Sequence, residues 1–176
     1  MATRYYLTRR YLGVILPGPV RGSWDGTLSG ERTHNLKEWA FELSTVKNNG
    51  GRRTSEVVGE TNDTANWDVM ILRWATKPLE AQMISGTFNL AAMVSRTDAA
   101  SSAVYHVHIY IAQGTTNAVR HVLLDNYIDS GLWNATLTVR ALASEQTLIA
   151  GAALVGDRVV GEIGVRFVSN SGADAF

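Results

Sequence analysis

The chain of 176 residues contains no cysteine. Disulfides, thiolate metal sites and cysteine nucleophiles are therefore excluded together, while the redox compartment is left open. Long apolar runs are missing too, because no stretch approaches the ~20 residues that a membrane-spanning helix needs. Net charge is also absent, since 16 basic and 16 acidic side chains cancel. We therefore expect neither nucleic acid nor an anionic membrane as the main partner, because both attract a concentrated positive field.

A chain of this length can bury roughly 70% of its unfolded surface, so a single domain over residues 1–176 needs no covalent staple. Residues 12–35 are predicted to be rich in loop, because Pro17 to Gly30 holds two prolines and four glycines. Residues 169–176 are small and polar up to the last residue and predict a short tail.

The N-terminus has one feature of a secretory signal, since Arg9 and Arg10 precede an apolar run. That run, Tyr11 to Pro17, is short and is followed by Pro-Gly-Pro rather than by a cleavage site of small residues. We therefore predict no signal peptide and synthesis in a cytoplasm.

Strict two-residue alternation is the main structural signal. Between Ile84 and Ser95, apolar residues and glycine or alanine occupy the even positions, while mostly polar residues occupy the odd ones. This pattern is typical of one long strand with one face on a core. Further strands are predicted at Arg4–Tyr11, Leu36–Val46 (where a helical pattern competes), Asp68–Ala75, Val104–Ala112, Val119–Leu124, Ala135–Leu142 and Arg158–Val168. The fold class is therefore all-β, a single antiparallel sandwich of jelly-roll type, with a closed barrel as the alternative.

The last predicted strand has a charged face, because Arg158, Glu162 and Arg166 recur at even spacing. We expect them to pair with charges on a neighbouring strand, each pair contributing about 0.2–1 kcal/mol. Asp125 and Asp129 form an ordinary pair of loop residues in this interpretation.

The sharpest chemical motif is His106-Val107-His108, with His121 one strand later. Three such histidines could bind zinc or iron, and jelly-roll enzymes of the cupin kind have an H-x-H strand. Gln113 and Ala100 stand where the cupin pattern has glutamate and glycine. We therefore favour a polar strand face, shared with Tyr110, at the surface or a subunit contact. No metal and no cofactor is predicted.

Five tryptophans divide by position. Trp39 and Trp74 lie in strand patterns and are predicted to be core residues, whereas Trp24, Trp67 and Trp133 lie in or beside loops. An indole at a loop can cover the core, stack on a sugar or anchor a protein interface. No catalytic residue is predicted, since G-x-S-x-G, P-loop and G-x-G-x-x-G motifs are all absent.

Three segments together resemble a known family. They are MATRYYL at the start, ANWDVMILRWATKPLEAQMISGTF in the middle and GDRVVGEIGVRF near the end. In this order they resemble a group of small virion proteins of tailed bacteriophages and prophages. The resemblance implies a β-sandwich body without catalytic activity, located in the virion and made in the host cytoplasm. It also implies a role in capsid decoration (cement) or as a tail accessory.

Two function classes follow. In the first, the protein binds the outer capsid lattice through the major capsid protein or other virion proteins, as a homo-oligomer and possibly a trimer. Arginine and tyrosine are enriched at interface centres, so the predicted partner-binding residues are Arg4, Tyr6, Arg9, Arg10, Tyr11 and Trp24. In the alternative, a tail or surface module recognises carbohydrate through Trp67 and Trp133.

Overall fold

The computed structural model describes residues 5–11, 24–27, 41–46, 66–95, 102–114, 116 and 118–168. Within these ranges the chain forms eleven strands and no helix, which confirms the all-β class. The strands are β1 (Tyr6–Tyr11), β2 (Gly26–Thr27), β3 (Phe41–Ser44), β4 (Trp67–Ala75), β5 (Gln82–Phe88), β6 (Ala91–Val94), β7 (Ala103–Ala112), β8 (Val119–Ile128), β9 (Thr138–Ala141), β10 (Gln146–Ala153) and β11 (Arg158–Phe167).

Seven strands form one large sheet in the order β1-β3-β4-β11-β7-β8, with β2 also pairing with β4. Both β2 and β3 run parallel to β4, whereas the other neighbours are antiparallel. The sheet is therefore mixed, and the prediction of a purely antiparallel fold is wrong. Residues 45–66 separate β3 from β4, which is longer than the roughly dozen residues that a parallel crossover needs.

One face of the large sheet is apolar. Successive side chains of a strand alternate between faces, and the odd positions of β7 and β11 all point to the same side. These positions are Tyr105, Val107, Ile109 and Ile111 on β7, with Val159, Ile163, Val165 and Phe167 on β11. On β4 they are joined by Val69, Leu72 and Trp74. Trp74 is 6% exposed, which confirms its predicted place in the core.

Two short ladders cover this apolar face. β5 pairs with β10 and β6 with β9, both antiparallel, and the Leu142 N–H donates to the Leu90 carbonyl between them at 3.0 Å. The ladders therefore form one interrupted two-stranded ribbon, which we call the ribbon (residues 82–94 and 138–153). Its inner side chains join the core of the large sheet, namely Ile84, Phe88, Leu90, Val94, Leu142, Leu148 and Ala153.

The burial of residues 84–95 in the ribbon can be compared with the alternation predicted between Ile84 and Ser95. Even positions apart from Gly86 are half-buried and odd positions are exposed, as predicted. The single long strand is interrupted at Asn89 and Leu90, however, because the opposite chain inserts Ala143 to Glu145 at that point. β10 was not predicted, since Gly151 and its alanine neighbours give a weak strand signal.

The other strand predictions are confirmed to within a few residues, except that β8 continues to Ile128 and the Ala135–Leu142 strand narrows to Thr138–Ala141. Phe41–Ser44 confirms a strand within Leu36–Val46. Arg4, Trp39, most of the 12–35 region and the 169–176 tail lie outside the described residues. The described part contains no helix long and apolar enough to cross a membrane.

Candidate functional site

The second face of the large sheet is polar and buried. It is built from the even positions of β7 and β11 and from neighbouring residues of β4, which face one another in register. Glu162 lies between His108 and Arg73, and Arg166 lies opposite Asp68. We call this set the polar face: Asp68, Arg73, His106, His108, Tyr110, Glu162 and Arg166.

A bulge in β4 places Arg73 on this face. Ile163 pairs with Leu72 and Gly164 pairs with Met70, so Ile71 is the extra residue. An extra residue reverses the alternation beyond it. Asp68 and Arg73 therefore share a face although they are five positions apart, while Leu72 and Trp74 turn to the core.

Asp68 and Arg166 form a two-point ion pair at one end of the polar face. The Arg166 Nε donates to Asp68 Oδ1 at 2.8 Å and its terminal nitrogen donates to Oδ2 at 2.6 Å. Burial raises the pKa of Asp68, but hydrogen bonds from Arg166 and His106 outweigh burial and lower this pKa to about 2. Asp68 is therefore ionised throughout the physiological range.

At the centre, a carboxylate and a guanidinium are linked through a phenol. Glu162 is fully buried and Arg73 is 1% exposed, with 4.0 Å between the Arg73 Nε and Glu162 Oε1. Arg73 donates to the Tyr110 hydroxyl at 2.8 Å, and that hydroxyl donates to Glu162 Oε1 at 3.0 Å. Burial is the main reason why the pKa of Tyr110 is raised, so the hydroxyl keeps its proton and can donate.

His106 and His108 form a directed chain of hydrogen bonds. The backbone N–H of Asn126 donates to His108 Nδ1 at 3.1 Å, so a neutral His108 has its proton on Nε2. That proton points to His106 Nε2, 3.0 Å away. His106 then holds its own proton on Nδ1 and donates it to Asp68 Oδ1 at 2.9 Å. The two ring nitrogens left without a proton in this arrangement, His106 Nε2 and His108 Nδ1, also lie within reach of side-chain oxygens, so the opposite tautomers find acceptors as well.

The donor to this chain lies at a bulge of β8. Four residues, from Leu124 to Tyr127, oppose three on β7 in the register, and Asn126 has a φ of 50°. Asparagine tolerates this left-handed region better than most residues. The Asn126 carboxamide also lies 2.8 Å from His106 Nε2, and Asp125 Oδ1 lies 3.3 Å from His108 Nδ1. The bulge therefore aims three polar groups at the histidines.

Trp24 packs over the middle of the polar face. Its ring lies 4.6 Å from that of His106, and its Nε1–H donates to Glu162 Oε2 at 3.0 Å. A Cβ added at Gly164 would lie 2.2 Å from the Trp24 ring, so glycine permits this close approach. The indole is thus engaged within the chain, and Trp24 is better explained as a cover for the polar face than as the predicted partner contact.

Burial decides what the histidines can do. His106 and His108 are 1% and 3% exposed, so the prediction of a surface or subunit position is wrong, while the shared face with Tyr110 is confirmed. Burial is the main cause that lowers the pKa of His108, followed by the nearby His106. Chemically, this arrangement holds and orders protons inside the sheet, and the Nε2 of His106 faces His108 and Asn126 rather than a hydroxyl nucleophile.

His121 does not join this pair. It pairs with Ile111, a residue of the apolar face, and its ring packs against Gly151 of the ribbon. The three histidines of the metal hypothesis therefore lie on opposite faces of the sheet. Across the described ranges, no group of three or more His, Asp or Glu side chains is arranged to hold a metal ion.

The predicted surface aromatics divide. Trp133 is 7% exposed and packs edge-on against Tyr105, with 5.2 Å between the rings, so it covers the core. This burial removes the exposed face that sugar stacking requires, and the carbohydrate prediction is wrong for Trp133. Trp67 is half-buried at the start of β4 and stacks on Phe167.

Four of the predicted partner-binding residues belong to an edge strand, while Arg4 lies outside the described residues. β1, which includes Tyr6, Arg9, Arg10 and Tyr11, is the last strand of the large sheet and pairs with β3. Tyr5, just before it, is 45% exposed. Among the described strand pairings, β1 pairs with β3 and not with β4, the strand that carries Trp67, or with the strands of the polar face. An edge strand offers backbone groups and side chains to a partner.

The outer face of the ribbon is the surface that sequence reasoning missed. Large apolar side chains there are half to two-thirds exposed, although core residues alternate with them. Met83, Met93, Val139 and Ile149 lie on the ribbon, and Leu137, Leu154 and Val155 directly flank its strands. The sequence did contain one sign of this apolar surface, because Met83 and Met93 occupy the strand face that was predicted to be solvated.

The charge pairing on β11 was partly predicted. Glu162 and Arg166 do pair with charges of β4, whereas Arg158 donates to the Thr76 carbonyl at 2.7 Å instead. Glu162 is fully buried and the two arginines are half-buried, which no charge pattern indicates. Asp129, interpreted as an ordinary loop residue, is 2% exposed and accepts from Arg140 and from the Ala143 N–H.

Comparison of the chain with protein-family models, with curated proteins and with solved structures gives no significant match.

Proposed function

We propose that this chain is a non-enzymatic structural protein of a tailed-bacteriophage virion, a capsid decoration protein that binds the outer capsid lattice and stabilises it. The observation behind the proposal is the exposed apolar outer face of the ribbon. Soluble monomers rarely expose large contiguous apolar patches, and such patches mark interaction sites. Four such side chains on the ribbon and three that directly flank it are expected of a protein that associates with other proteins.

The buried polar face supports the same role. Its carboxylates, guanidinium groups and imidazoles contact one another at 2.6–4.0 Å, and all of them except the half-buried Arg166 are almost wholly removed from solvent. Such a network favours one strand register over others and so gives the sheet a defined shape. We propose a jelly-roll sandwich as the architecture, with the ribbon as its second layer.

The capsid contact is assigned to the N-terminal strand. β1, the strand that contains Tyr6, Arg9 and Arg10, lies at the sheet edge, where its backbone groups can meet a neighbouring protein. The proposed partners are the major capsid protein or other virion proteins, with a homo-oligomer as the bound form. The ribbon face is then left for contacts between copies.

Mass spectrometry of purified particles tests the function directly. A decoration protein is expected in near-stoichiometric ratio to the major capsid protein, because it occupies a repeated lattice site. A few copies per particle would instead indicate a tail accessory, and complete absence from particles would contradict the virion role.

A double variant tests the contact. Arg9→Ala/Arg10→Ala is expected to leave folding intact and to change the free energy of unfolding by no more than about 0.5 kcal/mol, the usual range for substitutions outside a core. The same variant should decorate particles less fully than the parent. Asn134→Ala is the control, because Asn134 is exposed after β8, the strand at the opposite edge of the large sheet from β1. Full decoration by the double variant would refute the N-terminal contact.

The carbohydrate alternative has lost one of its two aromatics. Trp133 is buried, and a single half-buried Trp67 is a small platform for a sugar ring. No observation favours this second function, so the decoration role is the one that we propose.

A further inference from the structure

We propose that the outer face of the ribbon pairs with the same face of a second copy about a twofold axis. This inference deepens the proposed function by naming the surface and symmetry of self-association, and it rests on that function only in assuming an associating protein. It is argued from the pattern, the charge and the extent of the face.

The pattern of the face is nearly the same from either end. Met83 and Ala152 face each other at one end of the ribbon, and Met93 and Val139 face each other at the other. Between them lie the exposed hydroxyls of Ser85, Thr87 and Thr147. An order of apolar, hydroxyl and apolar groups matches itself when a second copy is turned by 180°, which is the condition for an isologous contact.

Charge places no obstacle to self-pairing. Residues 81–95 contain no Asp, Glu, Lys or Arg, and neither do residues 146–156. The chain as a whole has a formal net charge of zero, so two copies do not repel at long range. The ribbon contains two charged residues, Arg140, which pairs with Asp129, and the exposed Glu145.

The exposed apolar area of the ribbon and its flanking residues is large enough for a stable dimer interface. Each of the seven exposed side chains leaves on the order of 50–80 Å² of apolar surface in water, or about 350–550 Å² together. A stable interface buries about 800 Å² per partner, of which roughly 450–520 Å² is apolar. The ribbon therefore offers about the apolar area of one standard interface.

Sedimentation of the full chain tests the pairing. We expect a dimer whose dissociation constant rises by about 100-fold in Met93→Lys, because the substitution occurs twice in a twofold interface and each buried lysine costs about tenfold. Val46→Lys is the control, since Val46 is 72% exposed and lies outside the ribbon. A monomeric parent, or an equal loss in both variants, would overturn the proposal.

Cross-linking locates the axis. The chain has no cysteine, so Thr87→Cys introduces one thiol per copy near the ribbon centre. A short bis-maleimide that spans the ~10 Å between packed sheets should join two such copies. Thr116→Cys, exposed in the turn after β7, should not be joined under the same conditions. Equal cross-linking of both variants would contradict a contact centred on Thr87.

The two proposals fail separately. A monomer that is present in particles in near-stoichiometric ratio would refute the ribbon pairing and leave the decoration role intact. A dimer that is absent from particles would refute the decoration role and leave the pairing intact.

Discussion

The two faces of the large sheet are equally buried, yet they are built by opposite chemistry. The apolar face packs Val107, Ile109 and Val165 against the ribbon, and its stability depends on area and fit. The polar face buries Arg73 and Glu162 almost completely and depends on every group keeping its partner. The comparison shows that β7 and β11 each contribute to both buried faces, with odd-numbered residues on the apolar face and even-numbered residues on the polar face.

The difference predicts different responses to mutation. On the apolar face the loss of stability is graded, because a smaller side chain buries less apolar area and leaves a cavity. A buried ion pair fails abruptly, because removal of one charge leaves the other unpaired in a medium of low dielectric constant. The polar face should also respond to pH, whereas the apolar face should not.

The largest effect is expected from Glu162→Gln. The substitution keeps the shape of the side chain but leaves the Arg73 guanidinium without its carboxylate neighbour, at a cost of about 3–5 kcal/mol in the free energy of unfolding. Urea denaturation measures this value. Glu145→Gln, at an exposed position after β9, is the control and should change stability by less than about 0.5 kcal/mol.

A double variant sharpens this prediction. Arg73→Met/Glu162→Leu removes both charges and should be less destabilised than Glu162→Gln alone, since no unpaired charge remains. If the double variant is as unstable as the sum of its two single changes, the two side chains are not coupled and our account of the polar face is wrong.

Ile109→Ala tests the apolar face. It should lower the free energy of unfolding by about 2–4 kcal/mol, because Ile109 is 2% exposed among core residues. Its loss of stability should be the same at pH 8 and pH 5, since no titrating group is removed. A loss that changes with pH by as much as that of the polar-face variants would mean that the two faces are not independent.

Acid should weaken the polar face through Asp68. Its pKa is about 2 in the folded chain, below the usual 3.8, so the stability that it contributes is complete above pH 3.8 and is lost as the pH falls toward 2. We expect this contribution to be about 1–2 kcal/mol after allowance for solvent screening. Arg166→Gln removes the main hydrogen-bond donor and should move the acid transition to higher pH in a circular dichroism titration.

His108 gives the smallest effect, at milder pH. Its pKa is lowered in the folded chain, so between the usual value of 6.5 and the lowered one the unfolded chain binds the extra proton. Stability is therefore complete above pH 6.5 and falls below it, by at most about 1.4 kcal/mol per pH unit for one proton. His108→Gln should flatten this slope, and His121→Gln, on the apolar face, should not. Equal slopes in all three proteins would remove His108 as the source.

Much of the fold was predictable because alternation is a local property. The even and odd positions from Ile84 to Ser95, and the apolar positions of β7, follow directly from the residue order. The charged face of β11 was predictable for the same reason. Parallel pairing of β3 with β4 was not, because direction depends on where a connection crosses and residue order leaves that open.

The sequence by itself determined that the chain is all-β, that His106, His108 and Tyr110 share a strand face, and that no cysteine chemistry is available. Only the tertiary structure decided that this face is buried, that Ile71 bulges and so turns Arg73 toward Glu162, and that His121 lies on the other side of the sheet. Alternation assigns residues to two faces within a strand. A bulge reverses that assignment, and burial depends on what covers each face, and both are settled by contacts between segments that are distant in the chain.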